Sequence, residues 1–378
     1  MNVLFYEMRK SWFKAVVFAV LAVVMVLDFL RIFPTDEYTQ NHLRSYNAVF
    51  AEYGGIPNEE KLRDFAERAE AVDGALFSGM QDVTSNDFFT ENAAQENALL
   101  NYEIKPQIEY AITYPNISNK TALIAYKNIA LYKQSGRAYD AAENALIYKL
   151  YSGRSVSELR GNRWAARFFS HDFSSLACLI MLVLGLSGSF STERESGMNT
   201  LIGAYGKKRT TVTAKVLSAA VFCAFLTIWF TAFDLVSFNI FDGFDGINMP
   251  LYSLSAFKYT PFGFSIFRTV LFWCAQRFLA LFTVAMALYL ISEISPNTVI
   301  AAVGGFALCM LLVLLGGLWK SIFNPVSALI PDSFITEFKA YDIFGTPLLQ
   351  PYAALITLAA ESLIICGIIV ISEKAQRR

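Results

Sequence analysis

Six separate stretches of this chain are long and apolar enough to cross a lipid bilayer, and no other feature restricts its fold so severely. In hydrocarbon every backbone N–H and C=O must be satisfied without water, so a run of about 20 apolar residues is read as a helix. The stretches extend roughly from Trp12 to Phe33, Phe173 to Phe190, Thr211 to Val236, Phe264 to Ile291, Thr298 to Trp319, and Pro351 to Ile371. The first is the weakest, because Lys14, Asp28 and Arg31 trim its uncharged centre, although basic side chains near a helix end can snorkel to the interface. Composition agrees: 55% of residues are hydrophobic, 33 are phenylalanine, and the mean hydropathy is +0.41, well above an ordinary soluble domain. No small-x-small cleavage site follows Leu27; Asp28, Arg31 and Phe33 come instead, so the first stretch is expected to remain as an uncleaved span.

Lysine and arginine set the orientation. Arg9, Lys10 and Lys14 precede the first span, Arg194, Lys207, Lys208, Arg209 and Lys215 lie between the second and third, and Lys374, Arg377 and Arg378 follow the sixth. An even number of spans puts all three groups on one side, which the positive-inside rule makes cytoplasmic. The expected molecule is therefore an integral, multi-pass protein of the cell membrane with both termini in the cytoplasm. Asp234 falls in the loop assigned outside, with Asp242 and Asp245. Net charge is only -1, without the basic stripe that a nucleic-acid partner needs. The five cysteines all lie in apolar segments and suggest neither a disulfide framework nor a metal site.

Between the first two spans lies a polar insertion with 14 basic and 19 acidic residues from Pro34 to Asp172. Stretches such as "NKTALIAYKNIALYKQ" carry Leu123, Tyr126, Ile129 and Ala130 at helical spacing, so a mostly helical extracytoplasmic domain is expected, broken at Gly54-Gly55, Pro106 and Pro115. "SELRGNRWAARFFSHDF" sets Arg160, Arg163 and Arg167 beside Trp164, Phe168 and Phe169, as suits an interfacial helix leading into the bilayer. The resulting divisions are residues 1–33, the N-terminus and first span; 34–172, the extracytoplasmic domain; and 173–378, the remaining five spans with a cytoplasmic loop at 191–210.

Two charged residues fall near the middle of spans, Arg277 in "WCAQRFLALF" and Glu361 in "LAAESLII". A lone charge there costs roughly 3 kcal/mol on insertion scales and usually faces the protein interior with a partner. Their similar depth makes Arg277 and Glu361 natural partners, either as a static pair fixing helix packing or as a polar element on a substrate path. Glu293 is placed at the cytoplasmic end of the fourth span. His42 and His171 lack a Cys or His at ligand spacing and read as ordinary surface residues of the external domain. No catalytic constellation appears, so an enzyme is not expected, and no cofactor or metal is expected on this chain.

The charged stretch "FSTERESGMNTLIGAYGKKRTTVTAK", Phe190 to Lys215, sits between two greasy segments. Its "GAYGKKRT" is not a phosphate-binding loop: Gly206-Lys207 is followed by Lys208 where a hydroxyl is needed, and Leu201 stands where the first glycine should be. The stretch is similar to the loop of ABC type-2 permeases, the membrane subunits of ATP-binding-cassette exporters. The shared features are an acidic-basic-acidic trio, a glycine and an apolar ridge, a basic turn, and a lysine entering the next span. The layout of six spans with a large insertion after the first is similar too.

That resemblance implies an all-α membrane protein with six transmembrane helices, paired with a second permease copy as a homo- or heterodimer. It implies a separate ATPase subunit that binds ATP and Mg, with membrane lipids around the spans. Glu193, Arg194 and Glu195 would be the element that transmits motion; Gly197 to Tyr205, with Met198, Leu201, Ile202 and Tyr205 on the ridge, the docking helix; Lys207, Lys208 and Arg209 its basic exit. Export of a hydrophobic or amphipathic peptide, drug or lipid by alternating access is the implied activity. The alternative reading is a membrane sensor whose external domain detects a ligand without transport.

Overall fold

The computed structural model describes residues 3–33, 37–81, 96–204 and 208–375. Helices dominate, and six of them meet the length and hydropathy of a membrane span: Ala15–Ile32, the composite Arg163–Glu195, Thr210–Asp242, Ile266–Ile294, Thr298–Leu318 and Gln350–Ser372. They define a mostly helical chain of the multi-pass membrane class.

The first apolar run forms one helix, Ala15–Ile32, and a separate short helix precedes it. Helix α1 (Val3–Ser11) ends at an elbow, and α2 (Ala15–Ile32) begins after it. Trp12 makes the elbow: its ring stacks on Phe222 at 4.8 Å and its indole N–H donates to Ser218 Oγ at 3.1 Å. Gly185 leaves room for it, since a Cβ there would lie 2.7 Å from the Phe222 ring and 3.0 Å from Trp12 Cβ. Along α2 the buried positions are Val17, Leu21, Val24, Asp28 and Ile32, a seam at helical spacing on an otherwise exposed helix.

The insertion follows as α3 (Glu37–Tyr53), α4 (Glu59–Gln81), a π-helical turn over Leu99–Ile104, and then α5 (Lys105–Gln134) and α6 (Ala138–Tyr151). Gly54-Gly55 breaks the chain as expected, but neither proline does. Pro106 follows directly on the π-helical turn, at the start of α5, and Pro115 sits inside a helix that continues past it.

The second span comes in pieces: α7 (Arg163–Ser170), α8 (Phe173–Leu186) and α9 (Ser191–Glu195). A short α10 (Met198–Ala204) precedes α11 (Lys208–Asp242), α12 (Ile266–Ile294), α13 (Thr298–Leu318) and α14 (Gln350–Ala375). Helix α12 is the centre of the bundle, packed against α8, α11, α13 and α14. Asn297 caps α13, its side chain accepting the Ile300 N–H at 2.8 Å.

Two apolar cores result. One joins Trp12, α2, α8, α11, α12 and α14; the other joins the insertion to the outer parts of α11 and α12 and to the loop between them. An all-α chain is corrected in one place: β1 (Ala340–Ile343) and β2 (Thr346–Leu349) form an antiparallel hairpin with Ala340 opposite Leu349. Phe344 and Gly345 make its turn, both at positive φ, 52° and 79°, the backbone that a two-residue hairpin of this hand requires.

Candidate functional site

At the end of the bundle that carries α1, the trio singled out in the sequence becomes a clasp. Glu193 is buried, with 6% of its surface exposed, and binds two lysines. Lys215 Nζ of α11 donates to Glu193 Oε2 at 2.7 Å and to the Ser189 carbonyl at 2.9 Å, and Lys10 of α1 donates to Oε1. The lysine head also lies 3.8 Å from the Phe190 ring centroid, where the ring face attracts a cation.

Arg194 reaches the end of α12, donating to the backbone carbonyls of Ser295, at 2.6 Å, and of Glu293. Glu195 reaches the start of α13, accepting from the Thr298 N–H at 2.9 Å and its hydroxyl at 2.6 Å. Three consecutive side chains thus tie four helices to one short loop. Glu7 of α1 stands beside this clasp; burial pushes its carboxyl up, while the charges of Lys215 and Lys10 pull it down and that of Glu193 pushes it up.

Gly197, at φ +70°, turns the chain out of the clasp into α10. There Met198 and Leu201 are exposed, 36% and 55%, and Ile202 is half-covered. The apolar ridge is therefore presented rather than packed. Tyr205 and Lys207 lie outside the described residues; Lys208 and Arg209 open α11.

A second polar site lies inside the bundle, around Arg277, which the sequence pairs with Glu361. The two do not meet. Arg277 is wholly buried and donates to Thr231 Oγ1 at 3.3 Å and to Ser174 Oγ and Cys178 Sγ, each at 3.2 Å. Its guanidinium stands 4.9 Å from the Trp273 ring. Glu361 instead lines a separate apolar crevice of about 250 Å³ between α12, α13 and α14, with Thr283, Leu308, Leu312 and Ile365. Equal depth does not bring two side chains together when their helices turn different faces to one another.

Near Arg277 are three groups whose roles the sequence did not disclose. Asp28 of α2 is fully buried and its Oδ1 lies 2.7 Å from His171 Nε2. His171, expected on the surface, sits in the bend between α7 and α8 with its side chain only 9% exposed. Asp234, expected in an outer loop, is inside α11 and 1% exposed. Ligand-type atoms of Asp28, His171 and Asp234 all lie within 4.8 Å of one another. The signal was present in the spacing: Asp28 continues the Val17, Leu21, Val24 seam, and Asp234 follows Thr227 and Thr231 along one buried face of α11. These three residues are the group that could hold a cation among the described residues.

Comparison with family models, with curated proteins and with solved structures finds no match to this chain.

Proposed function

We propose that this chain is the membrane-spanning subunit of an ATP-driven exporter of the ABC type-2 kind. In this reading it works with a second permease copy and a separate ATPase subunit that binds ATP and Mg, and it moves a hydrophobic or amphipathic substrate. The observation that carries the reading is the attachment of α10. An exposed apolar ridge, Met198 and Leu201, projects from a loop whose root is bonded to α1, α11, α12 and α13 at once.

A partner that seats on α10 and moves would displace the root, and the root cannot move without its four helices. Glu193 carries the displacement to α1 and α11, Arg194 to the end of α12, and Glu195 to the start of α13. The clasp's short, charge-assisted bonds make that transmission stiff. Alternating access follows when two such chains are driven together around a central path.

The test is co-purification of the full chain in mild detergent from its native membrane, comparing wild type with Leu201→Asp. An ATP-hydrolysing subunit recovered with wild type and reduced at least about tenfold with the variant, the scale of losing an interfacial anchor, supports the reading. Leu201 makes no core contact, so the variant should keep the thermal unfolding of wild type. Recovery of no ATPase from an intact, monodisperse wild type sinks the reading and leaves the sensor alternative.

A further inference from the structure

From the buried cluster near Arg277, the geometry points to a binding site for one divalent transition-metal ion, held by Asp28, His171 and Asp234. The inference does not depend on the transport reading.

The three ligands come from three places in the chain, α2, the α7–α8 bend and α11, and their ligand-type atoms lie within 4.8 Å of one another. Tetrahedral ligands about 2.0–2.2 Å from a common ion stand about 3.4–3.6 Å apart, so seating the ion takes side-chain shifts of roughly 1 Å, closing the widest pair and opening the Asp28–His171 pair. One imidazole and two carboxylates form a mixed N and O set, suited to Zn²⁺.

Two observations separate this group from an ordinary acidic cluster. First, each carboxylate has an oxygen, Asp28 Oδ2 and Asp234 Oδ1, that is shut off from solvent and accepts no hydrogen bond. A buried acceptor left without a partner is destabilising, more so when charged, and an ion supplies the missing contacts. Second, Arg277 forms no ion pair with either carboxylate; its guanidinium is spent on Ser174, Cys178 and Thr231. Asp234 thus lacks the direct cationic partner that a buried acid requires, Asp28 has only the His171 ring beside it, and the guanidinium stays as an outer charge.

Binding is balanced in protons. His171 Nε2 faces Asp28 Oδ1 across 2.7 Å, so as a donor it must give up that proton before it can ligate. The proton either leaves to solvent or, by tautomer exchange, is replaced by one on Nδ1, and a proton shared between Asp28 and Asp234 leaves as the ion takes its place. No bond to carbon changes and nothing is oxidised. The ion would staple α2, the bend and α11 together where the insertion joins the bundle.

The full chain, purified in detergent, is stripped with a chelator, re-equilibrated with Zn²⁺ and freed of excess by gel filtration. Elemental analysis is expected to find about one Zn²⁺ per chain in wild type and near none in Asp28→Asn/Asp234→Asn, and chelation to lower the unfolding temperature of wild type alone. Co²⁺ titration of wild type gives a readout that needs no variant: a visible d–d band that Zn²⁺ removes. Equal zinc in wild type and a folded double variant, or no displaceable Co²⁺ band, overturns the proposal and leaves a cluster neutralised by protons. Should the variant not fold, the Co²⁺ result decides.

Discussion

Glu193 is held by one partly exposed lysine and one buried lysine, and the two contributions differ for a physical reason. Lys215 has 1% of its side chain exposed and Lys10 has 22%. Removing the carboxylate strands a cation inside the protein, which costs about 3–5 kcal/mol, whereas a pair at the surface is worth at most about 1 kcal/mol. Glu193→Gln is therefore expected to lower the thermal unfolding temperature strongly and Lys10→Ala only slightly. Adding Lys215→Met to Glu193→Gln should recover most of the loss, because the stranded lysine is then removed with its partner. A double variant as unstable as Glu193→Gln alone would show that the clasp acts through packing and not through charge.

At the scale of elements, the β hairpin carries its own test. Phe344 holds a left-handed backbone, an unfavourable choice for a bulky residue by about 1–2 kcal/mol, while Asp342 Oδ1 accepts the Gly345 N–H at 2.7 Å. Its ring is fully exposed, so nothing in the fold repays the strain. Phe344→Asn should slow amide exchange across Ile343 to Thr346 by about fivefold, the factor that 1 kcal/mol supplies; unchanged exchange would mean that the aromatic ring is held by something beyond this chain. Elements were unequally legible in the sequence. The six apolar runs gave spans whose ends agree with the helices to within a few residues for α12 and α13, because hydropathy and the cap at Asn297 are local signals. The break at Ser187–Phe190 was not legible: the N–H groups of Phe190 and Ser191 that it frees are taken by Ser292 Oγ, at 3.0 and 3.2 Å, about a hundred residues away. The elbow at Trp12 was hidden for the same reason, since its partners are Phe222 and Ser218.

Over the whole molecule, the insertion is fastened to the α11–α12 loop by side chains that bond backbone carbonyls. Tyr110 donates to the Tyr252 carbonyl at 2.6 Å, Tyr114 to that of Lys258 at 3.2 Å, and Arg154 to that of Thr260 at 2.9 Å. Arg154 is also sandwiched between Tyr151 and Tyr252, so Arg154→Ala should raise amide exchange over residues 250–262 while the bundle helices keep theirs; equal deprotection of the bundle would show that insertion and bundle unfold as one unit. The trio at 193–195 could be read as a motif because its residues are consecutive. The cluster of Asp28, His171 and Asp234 could not, because it is assembled from segments separated by the long insertion, and each member read alone had a plausible place at a span end or on the surface. The clasp has a consequence in time as well. Lys10 and Glu193 are 183 residues apart and Lys215 lies 22 further on. At roughly 5–20 residues per second of synthesis, the N-terminal helix waits on the order of 10–40 seconds for its carboxylate to be made. The first span is therefore made before the carboxylate that anchors α1 exists, and α1 can be locked only once the loop leading into α11 has been synthesised, while α12, α13 and α14 are still to come.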